Sequence, residues 1–195
     1  MLDIKYRVVL ASKSPRRQAL LKEIIPDFDI ALRDIDEAYP ATLKGAQIVE
    51  HIARAKADAF VNELADDQLL ITADTIVWID NQVLGKPKDS TDAIRMLNML
   101  SGNMHTVYTG VCLLTTTRRR LFSTSTDVYF SKLSEPDIRY YVDNFRPFDK
   151  AGAYGIQEWI GYIGVERING SYFNVMGLPV QKLYDELCQF CSVNR

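Results

Sequence analysis

One acidic residue interrupts a long apolar segment of the chain and is the first candidate for chemistry. Asp74 lies between residues 69 and 79, where the other side chains are apolar apart from Thr72 and Thr75. A carboxylate in such a segment is costly unless it is paired, binds a metal ion or faces a cleft. Ligands gather at the carboxyl ends of strands in α/β folds, so Asp74 could hold a divalent cation or activate water. A structural aspartate that caps a turn or bonds to Thr75 fits the same pattern.

Two arginines open the first predicted helix. Arg16 and Arg17 follow Ser12, Ser14 and Pro15, and cations in a first helical turn cost a few tenths to about 1 kcal/mol each. An anion bound there would reverse the sign, because it would meet free backbone N–H groups, two serine hydroxyls and a guanidinium. The arginines could instead lie in solvent or pair with the acidic loop that follows the second predicted strand.

Further charged residues contribute to a site only if the fold brings them together. Asp36 and Glu37 are neighbouring loop acids, typical of solvated side chains. They would suit a Mg²⁺-like ion, which prefers oxygen ligands, if they lay near Asp74. Lys56 lies at the polar edge of a long amphipathic helix, where a surface lysine is the default interpretation. Lys86, between a glycine and a proline, suits either a phosphate contact or a plain turn.

Composition excludes several classes of protein. The 195 residues are 47% hydrophobic and 25% charged, with a formal net charge of −2. This mix predicts a folded chain, and it disfavours a protein that coats DNA or RNA, which needs a basic face. No signal peptide is visible, and no apolar stretch approaches the roughly 20 residues that span a bilayer. We therefore expect a cytoplasmic protein that binds neither a nucleic-acid polymer nor a membrane.

Histidine and cysteine patterns give little support to a metal or redox site. His51 and His105 lie far apart without zinc-type spacing, and the chain has neither a P-loop nor a Gly-x-Ser-x-Gly elbow. Cys188 and Cys191 form a C-x-x-C pair with no second pair nearby, so two small apolar residues on a final helix are favoured over a redox or zinc pair. Cys112 lies in an apolar segment and is predicted to be a core thiol.

The predicted elements alternate between strands and helices in the first half of the chain. Strands are predicted at residues 8–11, 28–32, 69–79, about 106–116 and 121–130. Helices are predicted after Ser14, across residues 48–64, from Asp89 or Ser90, from Ser134 and from Pro179. The alternation predicts an α/β fold with a mixed sheet, and no linker or repeat divides the chain, so we expect one domain over residues 1–195.

Two segments have less certain structure from the pattern alone. Arg118, Arg119 and Arg120 join the two long strands and are most simply a solvated hairpin tip, with a phosphate contact as the minor alternative. Residues 147–177 are rich in glycine and aromatic residues and predict short strands mixed with loops.

Six segments, taken in order, resemble the Maf family of nucleoside triphosphate pyrophosphatases. They are residues 10–17, 73–77, 84–87, 100–102, 149–157 and 170–179. Each is weak alone, but six in order are highly specific and cover nearly the whole chain. The resemblance implies a Maf/ITPase-like fold, in which helices flank a mixed, twisted central sheet and two lobes surround a cleft.

The resemblance also implies a reaction. Water would attack the α-phosphorus of a nucleoside triphosphate and release the monophosphate and pyrophosphate, with Asp74 as the residue that activates the water. Arg16, Thr75 and Gln157 fall at the family's base-specificity positions. Thr75 together with Gln157 is similar to the branch that cleaves dTTP and UTP rather than 7-methyl-GTP. The Gln157 amide offers both a donor and an acceptor to a uracil or thymine edge.

The remaining expected contacts come from the same resemblance and from charge. Ser12, Glu37, Lys56 and Lys86 fall at other positions that line the family's cleft, and Ser14 joins them as a phosphate contact at the helix start. A triphosphate needs cations to neutralise it, so we expect a divalent ion, Mg²⁺ or Mn²⁺, held by Glu37 and Asp74. The resemblance also implies a homodimer.

Two departures and two alternatives accompany this interpretation. Lys13 stands between the serines where a small residue is common, and Glu158 and Trp159 follow Gln157 where many relatives continue with glycine. Trp159 could stack near the base or simply pack.

The chain could also be a non-catalytic protein that senses nucleotides or regulates division, which would gain nothing from an acid at position 74. A redox protein that uses the C-x-x-C pair is the weaker alternative.

Overall fold

The structure is a computed structural model that describes residues 4–192. Its strands are β1 (Arg7–Ala11), β2 (Asp29–Ile30), β3 (Gln68–Ile79), β4 (Gln82–Leu84), β5 (Met104–Leu114), β6 (Arg119–Phe130) and β7 (Val165–Asn169). Its helices are α1 (Pro15–Lys22), α2 (Ala46–Asp58), α3 (Ser90–Leu100), α4 (Glu135–Phe145), α5 (Trp159–Gly164), α6 (Tyr172–Met176) and α7 (Val180–Ser192). A 3₁₀ turn covers Ala151–Ala153.

The strands form one seven-stranded sheet, which confirms the predicted mixed α/β fold. The strand order is β2-β1-β3-β5-β6-β7, and β4 pairs with the distal end of β3. β1 lies parallel to both β2 and β3, whereas β4 on β3 and β7 on β6 are antiparallel. Within residues 4–192, each helix is too short or too polar to cross a lipid bilayer.

Helix starts follow the capping residues that the sequence predicts. The Ser14 hydroxyl accepts from Arg17 N at 3.4 Å and Pro15 is the first helical residue of α1, where its missing N–H costs nothing. Asp89 caps α3 by accepting from Asp92 N at 2.9 Å. Ser134 caps α4 in the same way. These three starts are therefore fixed by local chemistry.

The chain divides into two compact units. The first comprises the described residues up to Asp74, residues 109–124 and those from Gly177 onward, and the second comprises residues 75–108 and 125–176. The core of the first unit joins β1, α2, β3 and β5 through Val9, Ala53, Ala57, Leu70, Cys112 and Leu114. The core of the second unit includes Val77, Leu97, Leu100, Val107, Val128, Ile138, Tyr141 and Ile160. That residues 1–195 act as one domain stays a prediction.

Within the first unit, α2 packs unusually close to the sheet. A Cβ atom placed on Gly110 of β5 would lie 2.5 Å from the carbonyl oxygen of Val49 in α2. This separation is shorter than any real van der Waals contact, so only a residue without a side chain fits. The apolar face of α2, including Ile48 and Ile52, is buried as the sequence predicts.

Several predicted boundaries are wrong. The strand predicted at residues 28–32 shrinks to the two residues of β2, both exposed, because it lies at the edge of the sheet. The helix predicted across residues 48–64 ends at Asp58, and Val61 is exposed beyond it. In α7, Leu187 is buried, Tyr184 is exposed, and the buried acid Glu186 lies among the apolar residues.

The basic segment, Arg118 to Arg120, joins β5 to β6 and keeps Arg119 and Arg120 exposed as predicted, but its arginines also bind neighbouring elements. Arg118 places its guanidinium 4.5 Å above the Phe190 ring and donates to the Phe190 carbonyl oxygen at 2.7 Å. Arg119 pairs with Asp58 of α2. Arg120 pairs with Glu186 at 2.6 Å, which compensates the burial of that carboxylate. The three arginines therefore tie the start of β6 to α2 and α7.

The cysteine predictions are confirmed as far as the structure describes them. Cys112 is fully buried, and burial raises the pKa of its thiol to about 11. A thiol in that state is unreactive at neutral pH. Cys188 and Cys191 are both half-buried on α7, in agreement with the interpretation as helix residues.

Candidate active site

Asp74 is a buried acid that shares a lysine with a second acid. It lies on β3 with 8% of its surface exposed. Lys56 Nζ on α2 lies 2.7 Å from Asp74 Oδ1 and 2.8 Å from Glu37 Oε1. The Lys56 side chain is 17% exposed, so the default interpretation as a surface lysine is wrong. The pairing supplies the compensating charge that a buried carboxylate requires.

The three residues come from separate elements of the first unit. Glu37 lies in the loop after β2 and stays about half exposed, whereas Lys56 is in the last turn of α2. Asp36, which precedes Glu37 in the same loop, accepts a hydrogen bond from Ala38 N at 2.9 Å and is exposed. Of the two adjacent loop acids, the structure therefore brings Glu37 to Asp74.

The segment before α1 is shaped by its two serines. Ser12 Oγ accepts from Ser14 N at 3.2 Å, and Ser12 is buried. Ser14 Oγ in turn caps the helix. Lys13 points away and pairs with Asp34 at 2.6 Å, with both side chains exposed, so the atypical residue between the serines leaves their positions undisturbed. Arg16 follows in the first turn of α1, half-buried.

Arg17 turns inward and holds the backbone beside Asp74. Its Nη1 donates to the Ala73 carbonyl oxygen at 3.0 Å, and its Nε donates to the Gly177 carbonyl oxygen at 2.8 Å. Burial lowers the pKa of the Arg17 guanidinium, and the charges of Asp74 and Glu37 oppose that shift. The expectation that both arginines could lie in solvent is therefore wrong for Arg17.

In the second unit, the predicted site residues lie on β3 and on two loops. Thr75 follows Asp74 on β3 and is half-buried. Lys86 is exposed in the turn after β4, and Gly85 beside it accepts from Gly152 N at 3.0 Å through its carbonyl oxygen. Gln157 is half-buried and lies in the segment just before α5.

Residues 7–190 match the Maf-like protein family. The chain belongs to the Maf family. The predicted resemblance is thereby confirmed.

Several similar sequences carry the same name. The dTTP/UTP pyrophosphatase of Bacteroides thetaiotaomicron is 56% identical to this Maf chain over 184 residues, which are 94% of this chain and 95% of that relative. The dTTP/UTP pyrophosphatase of Porphyromonas gingivalis is 50% identical over 193 residues, 97% of each chain.

Solved structures with the same fold are more distant in sequence. The Ham1 protein of Staphylococcus aureus matches with a TM-score of 0.54 at 16% identity, over 92% of this chain and 99% of its own. A HAM1 protein from Coxiella burnetii matches with a TM-score of 0.51 at 15% identity, over 94% and 99%. This Maf chain therefore has the fold of those proteins.

At this site of the Maf chain, two carboxylates, Asp74 and Glu37, lie close enough to one cation to hold a metal ion. Among the residues that the structure describes, no group of three or more histidine, cysteine, aspartate or glutamate side chains is arranged to hold a cation. Asp74 and Glu37 flank the position of the Lys56 ammonium, so a positive charge already fits between them. A Mg²⁺-like ion is often held by one or two carboxylates together with substrate phosphates, and this pair fits that pattern.

Arg17 lies beside Asp74, although the family resemblance placed only Arg16 among the site residues. The pattern singles out both arginines at the helix start, but it cannot say which guanidinium enters the protein. The sequence does contain one signal for Arg17: it lies two residues after Pro15, which marks the first residue of α1. Which side of the helix faces β3 depends on tertiary packing.

Proposed function

We propose that this chain hydrolyses dTTP and UTP, together with modified pyrimidine nucleoside triphosphates, to the monophosphate and pyrophosphate. The observation that carries the proposal is the buried Asp74 held by Lys56 beside Glu37, in a chain half identical to proteins named dTTP/UTP pyrophosphatase. A buried acid with a cation and a second acid beside it suits the positioning of water next to a polyphosphate.

Asp74 is proposed to orient the attacking water and accept its proton. The water oxygen forms a bond to the α-phosphorus, and the bond from that phosphorus to the bridging oxygen breaks. Pyrophosphate leaves with the electron pair. Lys56, Arg16 and Lys86 would neutralise phosphate charge that grows during the attack, and Ser12 and Ser14 would add polar contacts at the start of α1.

A divalent ion, Mg²⁺ or Mn²⁺, is part of the proposal. Glu37 and Asp74 would hold it together with phosphate oxygens, and when bound it would supply Lewis-acid stabilisation of the phosphates. Lys56 Nζ lies within 2.8 Å of both carboxylates, so it would add a second positive charge beside the ion.

Base selection is assigned to Thr75, Gln157 and Arg16. A glutamine amide can accept from the N3–H of uracil or thymine and donate to the O4 atom. The names of the similar relatives support the pyrimidine preference. We propose further that the protein acts in the cytoplasm as a homodimer.

The test is a panel of nucleoside triphosphates incubated with the purified chain and Mg²⁺, Mn²⁺ or a chelator. We expect equimolar monophosphate and pyrophosphate from dTTP and UTP, and a loss of turnover with chelator. In ¹⁸O-labelled water the label should enter the monophosphate. Label in pyrophosphate, or release of orthophosphate, would exclude attack at the α-phosphorus. Nucleotide binding without hydrolysis would instead support the nucleotide-sensing alternative.

A further inference from the structure

Gln157 lies in a tight turn of the second unit. The carbonyl oxygen of Gly155 accepts from Glu158 N at 3.0 Å, so Gly155–Glu158 is closed as a four-residue turn with Gln157 as its third residue. The next helix, α5, begins directly after it and takes the Glu158 carbonyl oxygen as its first acceptor, from Gly161 N at 2.8 Å. The position of Gln157 therefore depends on the two ends of this turn.

Both ends of the turn bond to one buried hydroxyl. Tyr141 of α4 is fully buried. Its hydroxyl oxygen accepts from Gly155 N at 3.1 Å, and the same hydroxyl donates to Glu158 Oε2. Burial and the adjacent Glu158 carboxylate raise the pKa of Tyr141, so the hydroxyl remains protonated and able to donate at neutral pH.

A lysine completes the arrangement on the far side of the carboxylate. Lys150 is buried, and its Nζ lies 3.0 Å from Glu158 Oε1 and 2.7 Å from Asp149 Oδ1. Both oxygens of the Glu158 side chain thus have a charged or hydroxyl partner. Since a bond to an ionised group is stronger than one between neutral groups, this carboxylate is firmly fixed.

The turn is also packed tightly enough to leave little alternative geometry. A Cβ atom on Gly155 would lie 2.8 Å from Glu158 Cδ, and one on Gly161 would lie 2.0 Å from the Ile156 carbonyl oxygen. Trp159 packs against the Tyr140 ring at 4.9 Å, which favours the interpretation that it packs. The Glu158-Trp159 pair that departs from many relatives is therefore built into the structure around Gln157.

We infer that Tyr141 and Glu158 are positioning residues for base selection, because they hold the turn that carries Gln157. The inference rests on the proposed function. Cytosine presents an amino donor where uracil presents an acceptor, so a glutamine amide that turns over can pair with either base. Discrimination between UTP and CTP then requires that Gln157 be held in one place and orientation.

The decisive variant is Tyr141→Phe, with Tyr140→Phe as the matched control. Tyr140 is the preceding residue of the same helix and is 50% exposed, so its variant removes an equivalent hydroxyl outside the arrangement. We expect Tyr141→Phe to reduce the ratio of kcat/KM for UTP to that for CTP about five- to tenfold, the effect of losing one or two hydrogen bonds. Amide hydrogen exchange at residues 155–158 should become faster. The control should match wild type in both measurements.

A second variant keeps the inference testable if Tyr141→Phe does not fold. Glu158→Gln retains the size of the side chain but removes the charge that Lys150 and Tyr141 bind, and it should lower the same ratio. Equal loss of activity on both nucleotides, or unchanged exchange at residues 155–158, would overturn the inference. If the wild-type chain hydrolyses no nucleoside triphosphate, the proposed function fails instead, and that result is recognised before any variant is made.

Discussion

Arg17 donates to the carbonyl oxygen of Ala73 at 3.0 Å, one residue before Asp74. The same guanidinium donates to the Gly177 carbonyl oxygen at 2.8 Å, ahead of α7. One side chain at the start of α1 therefore fixes two segments of backbone in the first unit. Arg17 is one of two cations that oppose the dipole of α1, but these hydrogen bonds are to carbonyl oxygens outside that helix.

Replacing Arg17 should destabilise the fold as well as the site. Arg17→Gln removes charge-assisted bonds to two carbonyl oxygens, so we expect the free energy of unfolding to fall by about 2–3 kcal/mol and turnover to fall with it. Urea denaturation and pyrophosphate release measure the two effects. Arg16→Gln is the control and should raise KM with little change in stability. Equal stability of the two variants would contradict the assignment.

Asp74→Asn should remove most turnover while the fold survives. An amide cannot accept the water's proton, and loss of a general base costs about 10²- to 10⁴-fold in kcat. Steady-state pyrophosphate release is the measurement, and a thermal melt shows whether the variant is folded. Asp36→Asn, a change to an exposed acid beside Glu37, serves as the control. A folded Asp74→Asn enzyme with a near-normal rate would refute the role.

Lys56→Gln should weaken catalysis through the two acids it joins. Without the ammonium, Asp74 and Glu37 lose their shared partner, and the phosphates lose a cation. We expect kcat/KM for UTP to fall at least tenfold. Arg54→Gln tests the specificity of the effect, because Arg54 is an exposed cation of the same helix that pairs with Asp58 at 3.7 Å. A similar loss in both variants would point to damage to α2 instead.

His105 should make the protein acid-sensitive. Burial lowers the pKa of His105 from 6.5 to about 3, and its Nε2 lies 2.7 Å from the Tyr154 hydroxyl. The unfolded chain binds a proton at His105 at a higher pH than the folded chain does. The contribution of neutral His105 to the free energy of unfolding is therefore fully present above about pH 6.5 and decreases as the pH falls toward 3. At pH 4.5 the loss reaches about 2–3 kcal/mol.

Urea denaturation at several pH values measures this loss. His105→Gln, which does not titrate, should flatten the dependence between pH 6.5 and 4.5. His51→Gln, at the other histidine, should retain the acid sensitivity of wild type. An unchanged slope in His105→Gln would show that another group is responsible.

The C-x-x-C pair should be dispensable. Cys188→Ser and Cys191→Ser together change two half-buried side chains on α7, and we expect turnover within about twofold of wild type and stability within about 1 kcal/mol. The assays are nucleotide hydrolysis and thermal melting under reducing conditions. Abolished activity in a folded double variant would revive the redox alternative.

The sequence predicted the parts of the fold that local chemistry determines. Ser14 and Asp89 cap the helices where expected. The long segment around Asp74 is a single strand, as its apolar pattern indicates. Of the two adjacent loop acids, however, only the structure shows that Glu37 meets Lys56.

The features that the sequence did not predict depend on distant partners. Arg120 and Glu186 are far apart in the chain, so no spacing reveals that the basic segment neutralises a buried acid. Short helices such as α5 and α6 lie in a glycine- and aromatic-rich segment, where six or five residues are too few to establish a 3.6-residue period. The turn that carries Gln157 was not predicted either, because four residues are too few to show a periodic pattern.

Gly110 allows α2, the helix that carries Lys56, to lie close to the sheet. Since a methyl group there would overlap the backbone of Val49 at 2.5 Å, any substitution must act as a wedge under α2. The wedge would lift the helix whose last turn delivers the ammonium to Asp74. Gly110, which is far from both acids in the sequence, thus determines whether Lys56 can contact Asp74. Mutational surveys of activity should therefore find substitutions at position 110 as damaging as substitutions of the charged residues.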